Sequence, residues 1–246
     1  MSAIRWTILI LSLNVALLAC GVKKTVINDS SKTSLDWSGV YHFYDSEDNQ
    51  HPEMQITINE DGKFSMVYGG LKDAESHING SFTWDKAGRI IELDKTIPYA
   101  SKYFLVGENV LYMLNEKDSP ISDSRKFNKV QIDSNLVEKY WKLVSINDRK
   151  VTREDFTTRE PHMIFKSQLS KVNGNDGCNG FGGSFKLNGN EIVFSQMIST
   201  MMACPDSFVF NQFMKILTEK LTYKATENTL EIKSKNNVLK FEVVYL

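Results

Sequence analysis

The sequence predicts a mainly β protein with one clear helix, arranged as two successive units behind an N-terminal leader. Three observations carry that expectation. Short stretches such as residues 55–59 (QITIN) and 141–146 (WKLVSI) alternate apolar and polar side chains, and a period of two turns one face of a strand inward. Turn residues recur at roughly ten-residue spacing, which fits antiparallel hairpins better than βαβ units. One segment, residues 206–220, instead places Val209, Phe210, Phe213, Met214, Ile216 and Leu217 at helical intervals, the pattern of an amphipathic helix.

Residues 1–19 read as a signal peptide. Arg5 supplies positive charge, and the apolar run over residues 6–18 is shorter than the roughly 20 residues a spanning helix needs. It ends at Leu17-Leu18-Ala19-Cys20-Gly21, which resembles the bacterial lipobox. That resemblance implies diacylation of Cys20, a membrane reached through the lipid, and a mature chain of 227 residues (246 − 19). Each buried acyl methylene contributes about 0.8 kcal/mol, so two or more chains anchor stably. Gly21 lacks the Asp that would suggest inner-membrane retention, so the outer membrane is the expected location. Residues 20–33 are small and polar without periodicity, and read as a tether.

The first unit spans residues 34–130. Strands are expected at 55–59, 63–68, 81–84, 90–93, 103–106 and 110–114, with Asp61-Gly62 turning the chain. Pro120 sits in a polar loop, and residues 129–135 read as the linker. The stretch DWSGVY at 36–41, the GSFTW at 80–84 and the LYML at 111–114 resemble the N-terminal domain of NlpE-type lipoproteins. This implies a small lipocalin-like antiparallel barrel and an association with copper tolerance or envelope-stress sensing. That family often carries a Cys-x-x-Cys after its Trp-x-Gly-x-Tyr motif, whereas residues 42–51 here hold no Cys. His42, His51 and His77, with Asp45, Glu47 and Asp48 between the first two, offer other donors. Their spacing is not that of a metal site, and they read as surface polar residues.

The second unit spans residues 136–246. Strands are expected at 141–146, 161–165, 169–174, 191–194, 221–224, 229–233 and 238–244, with the helix before the last three. Gly174, Gly177, Gly180, Gly182 and Gly183 read as a tight turn needing positive φ. A phosphate cradle would require Ser or Thr after Lys186 and a helix start there. Calcium at Asn173, Asn175 and Asp176 would have one carboxylate, too little charge. Residues 141–144 (WKLV), 174–185 (GNDGCNGFGGSF) and 200–204 (TMMAC) resemble the META (HslJ-like) domain, which implies an α+β fold. It also implies links to novobiocin resistance, motility or virulence, with no catalytic activity.

Cys178 and Cys204 admit three readings. The first is a disulfide between them, favoured by an oxidising compartment. The second is a soft Cu(I) site of both thiols with Met201 and Met202, and the third a nucleophilic Cys with His162 as its base.

Composition narrows function further. The 29 basic and 30 acidic residues give net charge −1, so no nucleic-acid partner is expected. No Ser-His-Asp, paired-carboxylate or HExxH pattern is present, and neither catalytic residue nor cofactor is expected. The expected function is non-enzymatic: envelope-stress sensing through contact with an unidentified envelope protein. The alternative is a lipoprotein binding a small ligand or copper.

Overall fold

The computed structural model describes residues 30–43, 52–70, 73–116, 119–120 and 125–245. Cys20, the signal peptide, most of the tether, and Asp45, Glu47, Asp48 and His51 lie outside the described residues.

After a single helical turn, α1 (Ser31–Ser34), the first sheet comprises β1 (Gly39–Phe43), β2 (Glu53–Ile58), β3 (Lys63–Gly70), β4 (Asp73–Trp84), β5 (Ile90–Leu93), β6 (Tyr103–Gly107), β7 (Val110–Glu116), β8 (Ser119–Pro120) and β9 (Lys126–Lys129). Successive strands pair antiparallel from β1 to β7. β9 then bridges β7 and β1, closing an eight-stranded barrel with β8 leaning on β7. The second sheet comprises β10 (Tyr140–Ile146), β11 (Arg149–Lys150), β12 (His162–Phe165), β13 (Lys171–Asn175), β14 (Gly180–Asn188), β15 (Glu191–Ser199), β16 (Leu221–Ala225), β17 (Thr229–Lys233) and β18 (Val238–Val244). β10 pairs with β18 from Tyr140↔Val244 to Ile146↔Leu239, closing a second eight-stranded barrel. Between β15 and β16 lies α2 (Phe208–Ile216).

Alternation built both barrels. Tyr41, Met54, Ile56, Phe64, Met66, Phe104 and Phe127 fill the first interior, and Trp141, Leu143, Phe165, Phe185, Phe213 and Phe241 fill the second. Full burial of one such side chain contributes roughly 1.5–3 kcal/mol. Polar tips are satisfied: Trp141 Nε1 donates to Leu136 O at 2.8 Å, and Tyr41 OH donates to Trp37 O at 2.6 Å. Burial, reinforced by Asp36, pushes the Tyr41 phenol up to about 12. The α2 stripe Val209–Phe213–Ile216 joins the second core, its Phe213 ring 5.8 Å from Phe181 and 6.0 Å from Phe241.

Several expectations change. Residues 30–33, read as tether, belong to the first barrel: Ser31 Oγ donates to Val106 O at 2.7 Å and Lys32 N to Gly88 O at 2.9 Å. Polar side chains satisfied at a rim leave no periodicity to detect. The helix is shorter than 206–220 because the chain turns after Ile216, although Leu217 stays buried. Only Gly177 of the glycine run has positive φ, at 104°. Gly174 lies in β13, and Gly180, Gly182 and Gly183 lie in β14. A Cβ on Gly174 would run into the His162 carbonyl, and one on Gly183 into Met197, so close strand approach, not turn geometry, requires these two. The strand β14 was hidden by its glycines.

The two barrels touch. His42, expected at the surface, is buried on β1 opposite Gln55. Gln55 Oε1 accepts from His42 Nε2 at 2.7 Å and from Leu169 N of the second unit at 2.7 Å. Leu169 and Ser170 both hold left-handed backbone, with φ of 51° and 45°, a conformation that costs a non-glycine residue energy unless its surroundings enforce it. Lys171 forms an ion pair with Glu53 beside them. The linker also docks, Gln131 exchanging hydrogen bonds of 3.0 and 2.9 Å with the backbone of Gly189.

Two outcomes are expected. Gly174→Ala lowers unfolding free energy by about 1–3 kcal/mol, whereas Gly182→Ala, whose Cβ meets its nearest atom at 3.8 Å, changes it by no more than about 0.5 kcal/mol; urea titration compares them. Burial lowers the His42 pKa, so on acidification the unfolded chain binds a proton before the folded one does. Stability therefore falls as pH drops below the unfolded value of about 6.5. Melting curves between about pH 7 and 5 should show that slope, and His42→Gln should flatten it in part.

Candidate functional site

Two segments meet at one rim of the second barrel: residues 175–179 after β13 and residues 200–207 between β15 and α2. Short polar side chains shape the first. Asn175 Oδ1 accepts from Gly177 N at 2.8 Å, and Asp176 Oδ1 accepts from Cys178 N at 3.0 Å and Asn179 N at 2.7 Å, the local bonding that makes Asn and Asp turn residues. Cys178 is thereby presented to Cys204. The two sulfurs are bonded, with Cα atoms 6.0 Å apart.

Asn179, which is buried, holds the second segment. Its Oδ1 accepts from Met202 N at 2.8 Å and Thr200 Oγ1 at 2.9 Å, and its Nδ2 donates to Cys204 Sγ at 3.0 Å. Ser207 then starts α2: its Oγ accepts from Phe210 N at 3.1 Å and donates to Asp155 O at 3.2 Å. Asp155 is itself buried, in a 3-10 turn at Arg153–Asp155. Burial alone would raise its carboxyl. Bonds from Thr152 N, Arg149 and the Thr152 hydroxyl outweigh that and hold it below the usual carboxylate range. Arg149 also covers Phe208, 4.5 Å above the ring.

The stapled segment and the adjoining strand β15 present apolar side chains to solvent. Met201 is 98% exposed, Val193 60%, Ile198 58% and Met202 48%. The backbone beside them is open as well. β16 pairs with β15 only at Glu191 and Ile192, so among the described residues 193–199 have no strand partner on that side. A register shift against β14 and left-handed Gln196, at φ 52°, bend this edge, a feature that discourages indiscriminate strand pairing.

The other candidate residues do not assemble. Among the described residues no group of three or more His, Cys, Asp or Glu could hold a metal. His42 and His77 share a rung through Gln55 and Val67, three strand spacings or about 14 Å apart, too far to share an ion. Without cysteine in residues 42–51, this chain does not fit thiolate copper binding there. Cys178 and Cys204 are bonded to each other, so neither is a nucleophile and neither offers a thiolate beside Met201 and Met202. His162 stacks on Tyr140 at 4.4 Å and donates from Nδ1 to Glu160 O at 2.8 Å; burial lowers its pKa. Asn179 and Gln55, the two amides that organise the rim and the interface, were not singled out from sequence. Asn179 at least lies inside the GCNGF motif, whereas nothing marks Gln55.

Tandem closed antiparallel barrels with filled interiors and one stapled rim define a small-barrel protein. The profile of the NlpE N-terminal domain matches residues 25–124 and that of the META domain matches residues 134–243. The chain thus carries an NlpE N-terminal domain followed by a META domain, a pairing that fits a lipoprotein of the cell envelope. No protein of curated function matches it. Similar solved structures include a protein of Shewanella oneidensis described as a candidate lipoprotein, with 26% identity, TM-score 0.35, and coverage of 42% of this chain and 98% of that one. A Burkholderia xenovorans protein has 19% identity, TM-score 0.38, and coverage of 45% and 85%. A DUF4847 family protein of Bacteroides vulgatus has 12% identity, TM-score 0.31, and coverage of 44% and 93%.

The staple has a measurable consequence. It closes a loop of 26 residue steps, and chain entropy gives such a loop about 3–4 kcal/mol. Paired Cys178→Ala and Cys204→Ala substitutions should lower the unfolding free energy by that amount. An unchanged denaturation midpoint would mean the loop is held by Asn179 alone.

Proposed function

We propose that this chain is a lipid-anchored, non-enzymatic protein of the outer membrane that senses or relays envelope stress by contact with another envelope protein. The observation that carries this reading is the rim around residues 193–202. There Asn179 and the disulfide hold the segment that carries exposed Met201 and Met202, beside an open strand edge that carries exposed Ile198 and Val193. An edge of this kind takes an extended peptide as an added strand, main-chain bonds giving affinity and flanking apolar residues giving specificity. The partner segment is therefore an extended strand with apolar side chains. Exposed Met adds a surface that adapts to different side chains.

Two experiments test the reading. A photo-crosslinker placed at Met201 in cells should give one discrete adduct that Ile198→Lys abolishes, while a crosslinker at exposed Glu227 gives none. Adducts equally strong from position 227, or none from 201, would reject contact through this rim. Cys20→Ser should move the protein out of the membrane fraction; identical fractionation of both forms, with no acyl mass on Cys20, would reject the anchor.

A further inference from the structure

A groove of about 690 Å³ opens at the end of the first barrel where the chain enters it. Its floor is aromatic. Trp37, Phe82 and Trp84 meet edge to face, with centroids 5.2 Å apart for the two tryptophans and 6.0 Å for Trp37 and Phe82. Phe82 is buried, whereas both indoles are half-buried and line the groove. The Trp37 ring is fixed from behind, its Nε1 donating to Lys32 O at 3.0 Å.

Charges of both signs line it: Glu60 and Asp61 come from the β2–β3 turn, Lys32 from α1 and Lys86 from the β4–β5 turn. Asp85 lies among the lysines but is committed to its own turn, accepting from Arg89 N at 2.7 Å and Ile90 N at 3.0 Å. Asp61 spends one oxygen on Lys63 N at 3.0 Å and keeps the other. Among the described residues neither lysine ammonium takes part in an ion pair.

We propose that this groove binds the zwitterionic phosphoethanolamine headgroup of the membrane bilayer. An ammonium group is attracted by the indole faces and by Glu60 and Asp61. A phosphate pairs with Lys32 and Lys86. A purely anionic ligand would face the two carboxylates, and a purely cationic one the two lysines, so a molecule with both charges matches the walls best. Position supplies the second argument. Ser30 lines the groove and lies ten residue steps from Cys20, a reach of at most about 36 Å. The groove thus lies where the barrel joins its tether and within reach of the bilayer, which rests on the lipid-anchor reading. Amphipathic indoles and lysines are the side chains that settle at headgroup level.

The test is independent of the anchor. The chain from residue 20 with Cys20→Ser keeps every described residue and contains three tryptophans, Trp37, Trp84 and Trp141. Their indole N–H signals are followed by NMR during titration with soluble glycerophosphoethanolamine, and Trp84→Phe assigns them. The Trp37 and Trp84 signals should shift saturably while buried Trp141 stays still. Lys86→Ala and the double change Glu60→Gln with Asp61→Asn affect exposed side chains, and each should weaken binding about three- to fivefold. Equal affinity for glycerol 3-phosphate would overturn the zwitterion assignment in favour of an anion site. Tighter binding of a neutral disaccharide would overturn it in favour of a glycan. No shift of Trp37 or Trp84 up to about 20 mM, a range in which even very weak binding registers, would overturn it outright. Because no lipidation is needed for any arm, failure here leaves the Cys20 result unaffected, and the reverse holds too.

Discussion

In each unit the last strands return to pair with earlier ones: β18 with β10 in the second, and β9 with both β1 and β7 in the first. A closed sheet leaves its backbone donors and acceptors paired around the ring and removes the edges that invite aggregation. It also fixes which alternate side chains point inward. At eight strands the interior is just wide enough for side chains to fill, and here Phe, Met, Ile and Trp residues occupy it. The chemistry exposed by such a molecule is therefore confined to rims, outer faces and the places where closure is incomplete.

In the second barrel closure is least complete between β15 and β16, which share only two paired residues. The sheet splays there because α2 must pass between the strands, its Val209–Phe213–Ile216 stripe completing the core. The disulfide, Asn179 and the Ser207 cap all sit along that split and hold its margins. The stapled rim is thus a structural consequence of inserting a helix into a barrel, and the open edge of β15 follows from the same insertion.

Much of this was legible in the sequence because period-two alternation survives wherever one strand face meets a core. The strands over 55–58, 90–93, 141–146 and 229–233 were visible for that reason, as was the helix from its 3.6-residue period. What alternation does not encode was missed or misread. β14 is rich in glycine because neighbouring backbone crowds it, so its pattern resembles a turn. The rim contacts of residues 30–34 are made by serine and lysine backbone and side chains that look the same in a tether. His42 and Gln55 are polar residues on the outer face of β1 and β2, and Leu169 of the second unit bonds Gln55 there; no local pattern foretells a contact 114 positions away. The pairing of Cys178 with Cys204 was one of three sequence readings, and the turn built by Asn175 and Asp176 is what brings the first cysteine to the second.

Methionine methyl groups measure most directly whether the interiors are filled. Met54, Met66, Met113 and Met163 are completely buried, while Met201 and Met202 are exposed. With methyl-labelled methionine, titration by a soluble acyl-chain ligand distinguishes inside from outside. Filled barrels predict that the four interior methyl signals stay in place while those of Met201 and Met202 are free to move. Saturable shifts of the interior methyls would contradict this, because they would show a barrel that opens to hold a ligand.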